Sequence, residues 1–154
     1  MGIVGYGHIG SQVSVLAETL GMKVVFYDVE PKLSLGNAKA LRTLDDVLRQ
    51  ADIVTLHVPE NASTRGLMSA SRISRMKKGS YLINYSRGNV VDLEALRRSM
   101  DKELIAGCAI DVFPFEPHSN QERFKSPLQG VRNAILTDRK STRLNSSHAN
   151  ISYA

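Results

Sequence analysis

The hexapeptide Gly5-Tyr6-Gly7-His8-Ile9-Gly10 has the spacing G-x-G-x-x-G, a pattern whose chemistry is done by the backbone. Such a loop at the mouth of a helix offers main-chain N–H groups and the positive end of the helix dipole to an anion. Glycines also recur by chance and can serve only a turn. Here the run follows the apolar GIVG, opens a helical pattern, and is succeeded by an acid, Asp28, at the end of a second β-branched run. In that context Gly5 makes the tight turn, Gly7 lets the backbone approach a pyrophosphate, and Gly10 lets the helix pack on the strand. Asp28 is placed to accept hydrogen bonds from the adenosine ribose and to repel a 2′-phosphate, which favours NAD over NADP.

These residues need a scaffold, and the chain supplies one by alternation. Residues 2–5 (GIVG), 23–28 (KVVFYD), 52–59 (DIVTLHVP), 81–88 (YLINYSRG), 105–113 (IAGCAIDVF) and 133–137 (NAILT) read as strands. Between them, Ile9, Val13, Leu16, Ala17 and Leu20 recur at helical spacing before Gly21, LDDVLRQ (44–50) is a short helix, and VDLEALRRSM (91–100) is another. Asp92 is its expected N-cap, with Leu93, Leu96 and Met100 on one face. Apolar strands joined through helices rather than two-residue hairpins imply a parallel sheet covered on both faces. The expected fold is therefore α/β, a doubly wound parallel sheet of the Rossmann type over residues 1–137.

Composition narrows the function classes. The 154 residues are 42% hydrophobic, enough for one real core. No apolar run approaches the roughly 18 residues that cross a bilayer, and the opening residues lack a basic n-region, so neither a membrane span nor a secretory signal is expected. The single Cys108 cannot form an internal disulfide, which suits a reducing, cytoplasmic compartment. The formal charge of +5 raises nucleic acid as a partner. Part of it sits in the last residues, where Arg139, Lys140 and Arg143 face the single Asp138. Within the body, Arg72, Arg75, Lys77 and Lys78 form a basic run with no aromatic side chain interleaved for base stacking, so a solvated helix face is expected there and nucleic-acid binding is not.

With the fingerprint in place, the chain resembles the D-isomer-specific 2-hydroxyacid dehydrogenases, and within them the 3-phosphoglycerate-oxidising branch. The stretches that carry the resemblance are GYGHIG (5–10), LGMKVVFYD (20–28), LGNA (35–38), LHVPEN (56–61), LINYSRGNVVD (82–92) and AIDVFPFEP (109–117). The resemblance implies oxidation of D-3-phosphoglycerate to 3-phosphohydroxypyruvate with NAD, by a homo-oligomeric parent acting on a small 2-hydroxy or 2-keto acid. It makes Arg87 the catalytic arginine. A planar guanidinium can hold a carboxylate and polarise a keto oxygen, which lysine does less well; the bland alternative is a surface arginine capping the strand. Glu116 matches the glutamate that supports an acid/base histidine. His8 and Ile9 match positions whose backbone lies on the pyrophosphate, His57, Val58 and Pro59 line the adenosine side, and Asp111 contacts the nicotinamide side. His57 is equally readable as a strand-end residue, and Asp111 as a helix N-cap. Tyr85 and Ser86 count with the cofactor contacts, although Tyr85 stands where the family places a small residue. No metal site is implied.

Two features depart from the family. Its acid/base histidine lies in Pro-His-x-Gly-Gly directly after a strand like NAILT, whereas Thr137 is followed here by Asp138 and Arg139. Arginine cannot give up a proton near neutral pH, and neither His118 nor His148 matches the motif. DRKSTRLNSSH (138–148) instead resembles the direct translation of a sequencing-library adapter, which would make residues 138–154 a non-native tail. The family's substrate domain is built largely from residues preceding the fingerprint strand, and only Met1 precedes it here. The expectation is a partial NAD-binding domain that binds NAD without turnover, with some apolar surface left uncovered. The other reading is a non-catalytic NAD-responsive module.

Overall fold

The computed structural model describes residues 1–114 and 126–137. Seven strands among them form one parallel sheet in the order β3-β2-β1-β4-β5-β6-β7. The strands are β1 (Gly2–Val4), β2 (Val25–Tyr27), β3 (Lys39–Ala40), β4 (Ile53–Leu56), β5 (Ser80–Asn84), β6 (Ile105–Ile110) and β7 (Ala134–Leu136), and the helices are α1 (His8–Thr19), α2 (Leu44–Gln50), α3 (Ala70–Ile73) and α4 (Leu93–Asp101). Each expected strand is present, shorter at its ends than the apolar run that announced it. The two-residue β3 and the single turn of α3 had no periodic signal long enough to read.

Pairing starts at β1, which has β2 on one side (Ile3 opposite Phe26) and β4 on the other (Ile3 opposite Thr55). The chain thus winds outward in both directions from β1. Because successive strand residues point to opposite faces, Ile3 and Phe26 enter one core with Ala17 of α1, while Val4, Leu56, Leu82 and Ile110 enter the other. That second core is closed by Leu44 and Leu48 of α2, Ile73 of α3, and Leu93, Leu96 and Met100 of α4. Helices on opposite faces of the two halves make the sheet doubly wound.

The helix starts follow their sequence signals. Thr43 caps α2 by accepting from the Asp46 N–H at 3.2 Å. Asp92 caps α4 by accepting from the Ala95 N–H at 2.9 Å. Helix α1 differs from expectation in which face it buries. Gly10, Ser14 and Ala17 are buried, whereas Ile9 (67%), Leu16 (64%) and Leu20 (75%) are exposed. The helix crosses so close to β1 that only small side chains fit beneath it. The basic run also differs from a helix face: α3 ends at Ile73, and beyond it Arg75 pairs with Asp45 and Lys77 with Asp52. These cations offset neighbouring carboxylates. Among the described residues, no helix is long and apolar enough to cross a membrane.

Candidate functional site

In a parallel sheet the carboxyl ends of all strands share one edge, and ligands lie where the winding reverses, here between β1 and β4. The structure places Gly5 to Gly10, Asp28, His57 to Pro59, Tyr85 to Arg87 and Asp111 at those ends, one segment per strand. Glu116, His118, His148 and the tail 138–154 lie outside the described residues.

The three fingerprint glycines have three different reasons to be glycine. Gly5 turns the chain at φ +91°, and a Cβ there would collide with the His57 carbonyl at the end of β4. A Cβ on Gly10 would collide with the carbonyl oxygen of Gly5, so the helix sits directly on the turn. Gly7 has an ordinary φ of −79°, and a Cβ there would meet nothing within 4 Å. No part of the protein therefore demands glycine at position 7; what a side chain would fill is open space at the head of α1. That helix has no side-chain cap and no acidic residue in its first turn, so its N-terminal N–H groups and dipole are left for an external anion. His8 and Ile9, in the same turn, are exposed. These features fit a pyrophosphate.

Asp28 stands beside this loop. Its Oδ2 accepts from the Tyr6 N–H at 2.7 Å and its Oδ1 from the Glu30 N–H at 3.0 Å. A carboxylate has about four acceptor positions, so roughly half remain for ribose hydroxyls. The far side of the crevice is the end of β4. The His57 N–H donates to the Val4 carbonyl at 2.7 Å, and its Nε2 lies 3.1 Å from the buried Thr55 hydroxyl. Burial holds the His57 ring below its ordinary pKa, so it is neutral near pH 7. The strand-end role and the crevice-wall role thus coincide, the ring satisfied by Thr55 and the main chain set against Gly5. Val58 packs partly into the core, while the exposed Pro59 offers its carbonyl to the Thr64 hydroxyl at 2.6 Å.

The other end of the edge is organised by Asn84, which sequence reading passed over. Fully buried at the end of β5, it accepts through Oδ1 from the Ser86 N–H (3.0 Å) and hydroxyl (2.8 Å) and donates through Nδ2 to the Arg87 carbonyl (3.0 Å). Its own carbonyl accepts from the Asp111 N–H at 3.1 Å. One residue therefore sets the backbone of Ser86, Arg87 and Asp111. The available signal was an amide closing the apolar run LIN, because a buried side chain of that kind must find main-chain partners. Gly88 completes the junction: a Cβ there would overlap the Phe113 carbonyl and the Pro114 nitrogen, so the exits of β5 and β6 touch.

On this support Arg87 is exposed, with one Nη1 donating to the Ser86 carbonyl at 2.7 Å. Tyr85 is 48% exposed while Ser86 is buried, so the large ring sits in solvent and leaves the backbone at Arg87 to Asn84. Asp111 accepts from the Thr137 hydroxyl at 2.5 Å, and residues 111–114 form no helix for it to cap. The edge thus joins an anion-binding helix end, a ribose-facing acid and a free guanidinium. That combination can hold a dinucleotide across the switch point and a small carboxylate beside it.

Comparison with known proteins agrees with this arrangement. The model of the D-isomer specific 2-hydroxyacid dehydrogenase NAD binding domain matches residues 1–138. The D-3-phosphoglycerate dehydrogenase of Haemophilus influenzae is 55% identical over 137 residues, covering 89% of this chain and 33% of that protein. The chain thus spans about a third of the length of the curated relatives it matches. Among solved structures, the D-isomer specific 2-hydroxyacid dehydrogenase of Lactobacillus delbrueckii ssp. bulgaricus in its NAD-complexed form superposes with a TM-score of 0.81 at 31% identity, covering 94% of this chain and 47% of that one. The enzyme of that description from Xanthobacter autotrophicus Py2, in complex with NADPH and MES, gives a TM-score of 0.79 at 30% identity, covering 89% and 43%.

Proposed function

Because the chain belongs to the D-isomer-specific 2-hydroxyacid dehydrogenases through their NAD-binding domain, we propose that it is the cofactor-binding part of an enzyme oxidising D-3-phosphoglycerate to 3-phosphohydroxypyruvate. The observation that carries the cofactor half of this reading is the open space in front of Gly7 at the head of an uncapped α1. Its substrate half is supported by the relatives named D-3-phosphoglycerate dehydrogenase.

When bound, NAD supplies the hydride acceptor. The chain's own residues bind and orient. The first turn of α1 takes the pyrophosphate and Asp28 takes the ribose hydroxyls. Arg87, on its Asn84-fixed backbone, pairs its guanidinium with the substrate carboxylate and polarises the C2 oxygen, which places C2 for transfer. Asp111 lies on the nicotinamide side. Glu116, by the family resemblance, supports the histidine that takes the hydroxyl proton. In this sequence Asp138 and Arg139 follow Thr137, and arginine cannot act as that base. The chain as it stands therefore binds NAD without turning over.

The family match ends at residue 138, which supports reading residues 138–154 as a segment foreign to the family. Sequencing the source DNA across the Thr137 codon decides it. Continuation into Pro-His-x-Gly-Gly makes the tail an adapter scar, and genomic codons for DRKSTRLNSSH overturn that reading. We further assign the parent to the cytoplasm as a homo-oligomer, a reading supported by the kinship with metabolic dehydrogenases.

Calorimetric titration tests the cofactor assignment. Wild-type chain is expected to bind NAD in preference to NADP. Asp28→Ala removes hydrogen bonds to a charged acceptor, each worth about 1.5–3 kcal/mol, so NAD binding weakens by roughly tenfold or more and discrimination against NADP relaxes. Unchanged binding of both cofactors would show that Asp28 does not face the ribose. Measurable reduction of 3-phosphohydroxypyruvate by the purified chain, lost in Arg87→Ala, would overturn its inactivity.

A further inference from the structure

We infer that Tyr6 is a positioning residue for cofactor selection, its phenol group holding the segment after Asp28 against the glycine loop and so fixing the acid that discriminates NAD from NADP. The inference rests on the NAD reading of the loop and extends it to a side chain that is itself buried.

The starting observation is a connection without a helix. Strands β2 and β3 pair in parallel, yet residues 28–38 join them with no helix to pack the chain back on the sheet. Side chains do that work instead. The Leu35 N–H donates to the Tyr6 hydroxyl at 3.3 Å, and the Asn37 N–H donates to Glu18 Oε1 at 3.0 Å. Asn37 Nδ2 donates to the Met22 carbonyl at 3.0 Å. The segment is thereby pinned to α1 and its exit at both its middle and its end.

Proton counting gives the link through Tyr6 a direction. The Ser14 hydroxyl donates to the Ser11 carbonyl at 2.7 Å, which uses its one proton. It must therefore accept from Tyr6, 2.6 Å away, and Tyr6, its own proton spent, must accept from Leu35. Donors run one way from the segment, through Tyr6, into the first turns of α1, an alignment in which each bond polarises the next. The same residue reaches the acid by two other routes. Its N–H donates to Asp28 Oδ2 at 2.7 Å, and its ring stacks on Phe26 of β2 with centroids 3.6 Å apart.

A held carboxylate matters because charge repulsion in water is weak and falls with distance. An acid free to swing into solvent would let a 2′-phosphate in, whereas one clamped at the ribose cannot avoid it. The fold itself accepts either cofactor, since solved relatives are in complex with NAD or with NADPH.

Tyr6→Phe keeps the ring and its stack and deletes only the hydroxyl. The experiment measures NAD and NADP dissociation constants by calorimetry on the full chain, with thermal midpoints and amide exchange of Leu35 by NMR. The loss of one net hydrogen bond predicts that the NADP-to-NAD ratio of dissociation constants falls about 2- to 10-fold, with faster Leu35 exchange. Glu18→Ala, which frees the same segment without touching the glycine loop, is expected to move the ratio the same way and decides the matter if Tyr6→Phe does not fold. Equal weakening of both cofactors, or an unchanged ratio in both variants while wild-type chain binds NAD, overturns this inference alone. No NAD binding by wild-type chain overturns it together with the NAD reading.

Discussion

Gly7 and Gly10 lie one helical turn apart and separate ligand chemistry from packing. Alanine at Gly10 would place a methyl group against the Gly5 carbonyl. Overpacking of this kind costs about 1–3 kcal/mol, so Gly10→Ala is expected to lower the urea midpoint or to prevent folding. Alanine at Gly7 meets open space at an unstrained φ. Gly7→Ala should keep its stability to within about 0.5 kcal/mol, as surface substitutions do, while NAD affinity measured by calorimetry falls on the order of tenfold. Undiminished affinity would mean that the pyrophosphate does not approach the backbone there. The motif spacing alone could not separate these two glycines, because spacing records the type of residue and not what surrounds it.

At the scale of elements, α4 and α1 show when periodicity is enough. In α4 the expected cap and buried face are both present, since a helix lying over an apolar sheet surface buries whatever apolar stripe it carries. Asp92→Ala removes the one side-chain acceptor for the Ala95 N–H and is expected to cost about 1 kcal/mol in urea unfolding with NAD affinity unchanged. No loss of stability would mean that water replaces the cap freely. In α1 the larger apolar residues Ile9, Leu16 and Leu20 look outward, and close approach to the glycine turn selects Gly10, Ser14 and Ala17 for the buried face. Hydrophobicity ranked the faces wrongly there because the separation between helix and strand, set by Gly5 and Gly10, outweighs side-chain apolarity. Asn84 escaped notice for a related reason: its partners are main-chain groups of neighbouring loops, and no periodic pattern encodes those.

At the scale of the molecule, one sheet separates two cores, and the interior strands report on its integrity. Cys108, buried in β6 between β5 and β7, has its thiol pushed up to about 12 by burial and stays protonated and unreactive at neutral pH. Its modification by an aromatic disulfide reagent is expected only at the rate at which the sheet opens, and should accelerate with urea in step with global unfolding. Rapid modification in the native state would show that the β6 region opens locally. The sheet face bearing Tyr81 and Ile135 is the less covered one, with both residues substantially exposed. The NAD-binding surface lies on neither face but along the carboxyl edge, so it needs the order of the strands and not the completeness of their cover.

The sequence by itself determined the alternation of strands and helices, the parallel winding, the fingerprint and the acid that follows it, because each is written in local spacing and residue type. It also placed every expected site residue among those described at a strand's carboxyl end, since motif and strand run are contiguous in the chain. Only the tertiary structure decided which face α1 buries, that Asn84 joins the Arg87 and Asp111 segments, that Gly88 lets two loops touch, and that Tyr6 ties Asp28 to the glycine loop. Those are contacts between residues distant in sequence. Their strength depends on distances of a few ångströms that packing sets and spacing does not record.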